Sequence, residues 1–203
     1  MNIEEVMALA PVIPVLVVDD AAYARPIAEA LVAGGLRALE ITLRTEAALK
    51  VIREMAKVDG AVVGAGTVLN RDDMNRALDA GARFIVSPGL TEPLGRAAID
   101  AGIAFLPGTA NSGDIMRGLD LGLTHFKFFP AAASGGTPAL KALAAPFVQA
   151  RFCPTGGIIA ATAAEWFSIE AVLCVGGSWI VPPGLPDMAE IRKRAALASA
   201  LGR

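Results

Sequence analysis

Short apolar runs rich in β-branched residues alternate along this chain with Ala- and Leu-rich stretches of helical periodicity, the pattern of βα units laid around a parallel sheet. The runs are VIPVLVV from Val12, RALEITL from Arg37, AVVGAG from Ala61, RFIVS from Arg83, IAFLP from Ile103, HFKFF from His125, RFCPT from Arg151 and AVLCVG from Ala171. They read as near-continuous apolar segments because strands covered on both faces have no polar side to show. Eight units predict an α/β fold, a single-domain (β/α)8 TIM barrel over residues 1–203, near the lower end of that fold's length. Residues 1–10 are expected to form a short helix at the barrel bottom and 187–203 a C-terminal outer helix. An open doubly wound sheet is the rival. Its glycine fingerprint should follow the first strand, whereas Gly64-Ala65-Gly66 lacks a third glycine and sits on the third strand.

Capping residues open the helical stretches at Asp20, Thr45, Asn70, Thr91 and Ser112. Several stretches close on glycine, as at Gly34-Gly35, Gly81, Gly102 and Gly122, where a left-handed residue turns the helix into the next strand.

Composition removes whole classes. Of the 203 residues, 54% are hydrophobic and 19% charged, with a net charge of −2, which excludes a disordered chain. The mean hydropathy of +0.54 raises a membrane reading. However, the strongest run carries Pro14 and ends at Asp19-Asp20, far short of the roughly 20 apolar residues of a span. Glu4 and Glu5 stand where a signal peptide carries Lys or Arg, so a cytoplasmic chain is the default. Cys153 and Cys174 lack metal or redox spacing and are expected in the core. A single histidine, His125, removes most hydrolytic triads and two-histidine zinc sites, and it is read as packing toward the barrel floor. No dense basic run points to nucleic acid.

Barrel chemistry sits at the C-terminal strand ends. Lys127 lies between Phe126 and Phe128. If those two rings face the outer helices, alternation turns Lys127 and Phe129 inward. Burial disfavours an ammonium, and a free amine attacks a carbonyl to form a Schiff base; the alternative is a structural ion pair. In LEITLRT, alternation places Glu40, Thr42 and Arg44 on one strand face. Glu40 is then a candidate general acid/base and Arg44 a candidate carboxylate clamp, unless the charges merely neutralise one another. Thr155-Gly156-Gly157 and Gly176-Gly177-Ser178 follow strands seven and eight. Many barrels bind phosphate there on backbone N–H groups and a short helix, which Ser178 would cap.

Together ALVAGGLRALEITLRTEAAL, VGAGTVL, FIVSPGLTEPL, FKFFPA, RFCPTGGI and VLCVGGSWIVP resemble the bacterial 2-keto-3-deoxy-6-phosphogluconate (KDPG) and 4-hydroxy-2-oxoglutarate (KHG) aldolases, in register from Pro11 to Pro182. The resemblance implies a class I aldolase without cofactor or metal, acting on small 2-keto acids and phosphorylated sugar acids and assembled as a homotrimer. It implies Lys127 as the Schiff-base residue, Glu40 for proton transfer and Arg44 for the keto-acid carboxylate. Thr67, Pro88, Phe129 and Thr155 would line the pocket, and Gly156, Gly157, Gly176, Gly177 and Ser178 would hold phosphate. Two departures stand out. Ile159 follows TGGI where the family has a capping Ser or Thr, and Gly108-Thr109-Ala110-Asn111 replaces the usual loop after strand five.

Overall fold

In the computed structural model, which describes residues 1–202, eight parallel staves close into a barrel. The first four are β1 (Val12–Leu16), β2 (Ala38–Thr42), β3 (Val62–Gly66) and β4 (Phe84–Val86). The fifth is split into β5 (Ala104–Leu106) and β6 (Gly108–Thr109); β7 (His125–Phe128), β8 (Arg151–Pro154) and β9 (Val175–Gly177) complete the ring. One sheet runs β5-β4-β3-β2-β1-β9 and the other β6-β7-β8. Pro107 divides the fifth stave because it has no N–H for the ladder, although its carbonyl still accepts from the Lys127 amide at 2.8 Å. Parallel bridges Phe152↔Val172 and Thr155↔Gly176 join β8 to the β9 stave. The barrel fold expected from the eight runs is therefore the fold observed.

Helices α1 (Ile3–Ala8), α2 (Ala24–Ala33), α3 (Ala48–Met55), α4 (Arg71–Asp79), α5 (Glu92–Asp100), α6 (Ser112–Asp120), α7 (Gly136–Ala144), α8 (Ala160–Trp166) and α9 (Met188–Ser199) complete the chain. Among the described residues, no helix is long and apolar enough to cross a membrane. The outer helix expected over 187–203 is α9 with its Asp187 cap; Arg203 lies outside the described residues.

Two apolar layers hold the barrel. The larger packs outward-facing strand residues such as Leu39, Ile41, Phe126, Phe128 and Phe152 against the helices. The smaller fills the lower interior with Ile13, Ala38, Val62, Phe84, Val86, Ala104, Leu106, Cys153 and Cys174, and α1 seals it with Val6 and Met7. Neither cysteine is in a disulfide, and both belong to this core. A capping box fixes the entry of α1. Asn2 Oδ1 accepts from the Glu5 amide and Glu5 Oε2 from the Asn2 amide, both at 2.8 Å, satisfying two amides the helix leaves unpaired.

Local capping departs from expectation at three places. Asn111, not Ser112, caps α6, its Oδ1 accepting from the Asp114 amide at 3.1 Å. Thr45 caps no helix: its hydroxyl donates to the Val18 carbonyl at 2.9 Å, tying the β2 loop to the end of β1. Thr91 occupies the N-cap of α5 without a side-chain hydrogen bond. Asn70 caps α4 as expected, and Asp20 caps a 3₁₀ turn over Ala21–Tyr23. Glycine closes helices where left-handed backbone is needed, as at Gly81 (φ +101°) and Gly122 (φ +79°).

His125 begins β7 at the barrel floor. Its Nδ1 lies 3.1 Å from the Thr124 hydroxyl, and its Nε2 is buried with no hydrogen-bond partner among the described residues. Burial, aided by Arg151 and opposed by Glu4, lowers its pKa below the ordinary histidine value. The unfolded chain therefore binds this proton first as pH falls, so the stability that neutral His125 supports is present above about pH 6.5 and is lost below it. Denaturant titrations from pH 7.5 to 5 should show wild type losing stability faster than His125→Gln; parallel curves would remove this role.

Candidate active site

Backbone register brings the charged candidates to one level of the barrel. Lys127, third in β7, lies beside Gly108 and Cys153, while Glu40, third in β2, lies between Val15 and Gly64. Their side chains meet across the interior: Lys127 Nζ donates to Glu40 Oε1 at 3.1 Å, with the side chains only 7% and 3% exposed. Period-2 alternation accounts for the aim of the lysine. Phe126 packs on Phe152 with ring centroids 6.1 Å apart and Phe128 on Trp166 at 6.4 Å, both in the outer layer, so Lys127 turns inward. Its ammonium also stands 5.2 Å from the centroid of the Phe129 ring, within cation–π range.

This pair costs desolvation on both sides. Removing either partner from such a buried pair typically destabilises a protein by about 3–5 kcal/mol, because the remaining charge is stranded. Of the neutralisation schemes open from sequence, the observed one is Glu40 with Lys127.

Arg44 departs from its expected place. Strand β2 ends at Thr42, so the alternation linking Glu40 and Thr42 stops there, and Arg44 sits exposed in the following turn. Its Nε donates to Thr67 Oγ1 at 3.3 Å. Arg44 is thus held at the rim, with its guanidinium toward the end of β3 and not on Glu40. Thr42 is buried, and its hydroxyl donates to the Leu16 carbonyl at 2.9 Å, pinning β2 to β1 one turn below the rim.

Thr67 is the sole non-glycine residue with positive φ among the described residues, at +58°. For a β-branched side chain this conformation costs on the order of 1–3 kcal/mol, and it places the hydroxyl under the Arg44 guanidinium. Pro88 is exposed in the turn after β4. Buried Ser87 shapes that turn by donating to the Gly89 carbonyl at 2.6 Å. Gly108 lets the fifth stave pass close by, since a Cβ there would overlap the Pro88 carbonyl. From sequence Gly108 stands out only as the start of a departing loop and Ser87 has no role of its own, because their part lies in contacts between distant loops.

The glycine-rich ends are only partly as expected. Thr155 is buried beside Gly176, and its carbonyl accepts from the Ala131 amide at 2.8 Å. Gly156 (φ +101°) and Gly157 (φ +75°) form the turn before α8. Gly176 and Gly177 are the last residues of β9, and Ser178 is exposed at the rim. However, no short helix follows Ser178. The chain turns through Trp179, whose ring occupies the space beside Gly177 that a side chain would need. Ile159 stands at the N-cap of α8, and Thr162 compensates by accepting from the Ile159 amide at 3.2 Å. A cleft of about 410 Å³ opens over the end of β1, lined by Asp19, Asp20, Tyr23, Arg44 and Ser178 among others. It shares the rim with the site but does not reach Lys127.

The arrangement offers a primary amine, a carboxylate in contact with it, a guanidinium at the rim above and glycine-rich turns opposite. These are the parts needed to condense with a carbonyl, move a proton and hold two anionic ends of a substrate.

A family model described as KDPG and KHG aldolase matches residues 3–194. The 2-dehydro-3-deoxy-phosphogluconate aldolase of Zymomonas mobilis is 58% identical over 100% of this chain and 97% of its own. A crystal structure of the Zymomonas mobilis ZM4 2-keto-3-deoxy-6-phosphogluconate aldolase with 3-phosphoglycerate matches with a TM-score of 0.98 at 58% identity, over 100% of this chain and 97% of that one. The KHG/KDPG aldolase of Escherichia coli K12 is 53% identical over 88% of this chain and 84% of its own. KDPG aldolase from Legionella pneumophila, with pyruvate captured as a covalent carbinolamine intermediate, matches with a TM-score of 0.95 at 42% identity, covering 98% of this chain and 99% of that one.

Replacing Thr67 by glycine should relieve its backbone and raise the unfolding free energy by about 1 kcal/mol, after allowing for the extra freedom glycine gives the unfolded chain. Urea titration reads this directly; a less stable variant would show that the +58° conformation carries no burden.

Proposed function

The chain belongs to the KDPG and KHG aldolase family, and on that footing we propose how its own residues perform the family's cleavage. It is an aldolase that splits 2-keto-3-deoxy-6-phosphogluconate into pyruvate and glyceraldehyde 3-phosphate, and 4-hydroxy-2-oxoglutarate into pyruvate and glyoxylate. The buried contact between Lys127 and Glu40 is the observation that carries the assignment of roles.

Lys127, as the free amine, attacks C2 of the keto acid through Nζ to give a carbinolamine. Loss of water yields the protonated imine. Arg44, with Thr67 beneath it, holds the C1 carboxylate during this step, in the charge-assisted manner suited to a guanidinium. Glu40 then removes the C4 hydroxyl proton, the C3–C4 bond breaks, and its electron pair neutralises the iminium to leave an enamine. The aldehyde departs. Protonation at C3 and hydrolysis release pyruvate and restore Lys127. This is class I chemistry without a cofactor, since the iminium itself is the electron sink.

Phe129, Thr155 and Pro88 would form the walls around the reacting carbons. The turns at Gly156-Gly157 and Gly176-Gly177-Ser178 would take the phosphate on backbone N–H groups, glycine allowing the anion close approach. The carbinolamine captured in the Legionella pneumophila aldolase supports the covalent step, and the 3-phosphoglycerate bound to the Zymomonas mobilis aldolase supports recognition of a phosphorylated three-carbon fragment. Trimeric assembly belongs to the same proposal; sedimentation velocity should give one species of three chains, and a monomer would overturn it.

Incubation with pyruvate and borohydride should add a reduced pyruvyl group to the peptide containing Lys127 and abolish cleavage. An unmodified Lys127 alongside lost activity, or modification at another lysine, would overturn the mechanism. Glu40→Gln should lower the rate of cleavage by on the order of 10²-fold or more, the usual reach of a positioned acid–base group.

A further inference from the structure

We infer that Gly66 is a positioning residue for the reaction, its missing side chain being the space in which the Glu40 carboxylate sits. This deepens the proton-transfer role proposed for Glu40 and rests on it.

Gly66 is the last residue of β3 and is paired with Thr42 of β2. It faces the interior two residues above Gly64, which is itself paired with Glu40. A Cβ on Gly66 would overlap Glu40 Oε1 and come within 2.8 Å of Cγ and 2.9 Å of Cδ. Backbone conformation does not explain the glycine, because its φ lies outside the left-handed region that favours this residue. Nor is it a turn residue; it ends a strand, and its carbonyl accepts from the Leu43 amide at 2.8 Å. What remains is space.

That space is used by one oxygen in particular. Oε1 is the atom that accepts from Lys127 Nζ at 3.1 Å and the atom a Cβ would displace first. Glu40 has nowhere else to retreat without cost: it is 2% exposed, in a barrel whose lower interior is packed with apolar side chains. The same device recurs below it, where Gly64 makes room for the Phe84 ring, and across the barrel, where Gly176 makes room for the Thr155 hydroxyl. Of these three, only Gly66 makes room for a titratable group. A methyl there would leave Lys127 able to condense with a keto acid while moving the carboxylate away from the proton it must transfer.

The test uses wild type, Gly66→Ala, Glu40→Asp and the double variant, each assayed for borohydride trapping of pyruvate on Lys127 and for exchange of the pyruvate methyl protons into D₂O. Trapping reads imine formation and exchange reads proton transfer. Gly66→Ala should slow exchange by on the order of 10²-fold while trapping falls by less than about tenfold. Because aspartate withdraws the carboxylate by one methylene, the double variant should lose less than the product of the two single losses, as expected for residues sharing one space. Wild-type exchange in Gly66→Ala, an equal loss in both assays, or strictly multiplicative losses would overturn the inference. If Gly66→Ala does not fold, the clash requires that Gly66→Ala/Glu40→Asp does, and failure of both overturns it too. Glu40→Gln with undiminished exchange would instead refute the proton-transfer role while leaving the spatial coupling measurable.

Discussion

A single buried ion pair governs this molecule. Lys127 and Glu40 are brought together from strands on different sheets and held 3.1 Å apart almost without solvent. Neither charge is tolerable there alone. Every stave must therefore be in register, because a one-residue slip in β2 or β7 would turn one charge out among the helices and strand the other inside. The apolar floor sealed by α1 and the outer layer packed on the helices supply that register. They place the cost of the pair on a platform able to bear it.

The barrel also separates stability from chemistry along its axis. Below the pair, interior positions are filled by Phe84, Val62, Leu106 and their neighbours, so there is no room for ligand. Level with it and above it, the ends of the staves contact their neighbours. Arg44 reaches Thr67, Thr45 reaches Val18, and Gly108 lies against Pro88. Turns on neighbouring staves are thus tied to one another, and under the proposed roles a substrate held by them would be held by parts already fixed relative to Lys127. Such preorganisation is a main contribution a protein can make to a reaction of the proposed kind.

Whatever follows from strand period was legible in the sequence. Lys127 flanked by Phe126 and Phe128 states its own direction, and eight apolar runs separated by helical stretches state the barrel. The rest depended on partners distant in sequence. Arg44 looked like a third inward residue of β2, but the strand ends at Thr42 and the turn redirects it to Thr67. Ser178 looked like a helix cap, but the chain turns through Trp179 and no short helix follows it. Thr45 has the chemistry of a cap and uses it on the Val18 carbonyl from the neighbouring stave. Gly66 was read as part of a strand end, since a glycine that exists to leave room is invisible until the occupant is known.

The pair also fixes which charges the interior can hold. Lys127 and Glu40 are each less than a tenth exposed, so water does little to hold either ion, and each charge is compensated by the other across the 3.1 Å contact. Under the proposed roles, an iminium at Lys127 Nζ would keep positive charge at the position the ammonium holds. Glu40 would then face a cation before condensation and after it, and the interior would meet the intermediate with the charge arrangement it already has. A lysine paired at the same distance on the protein surface would gain less from its carboxylate, because solvent screens the attraction there.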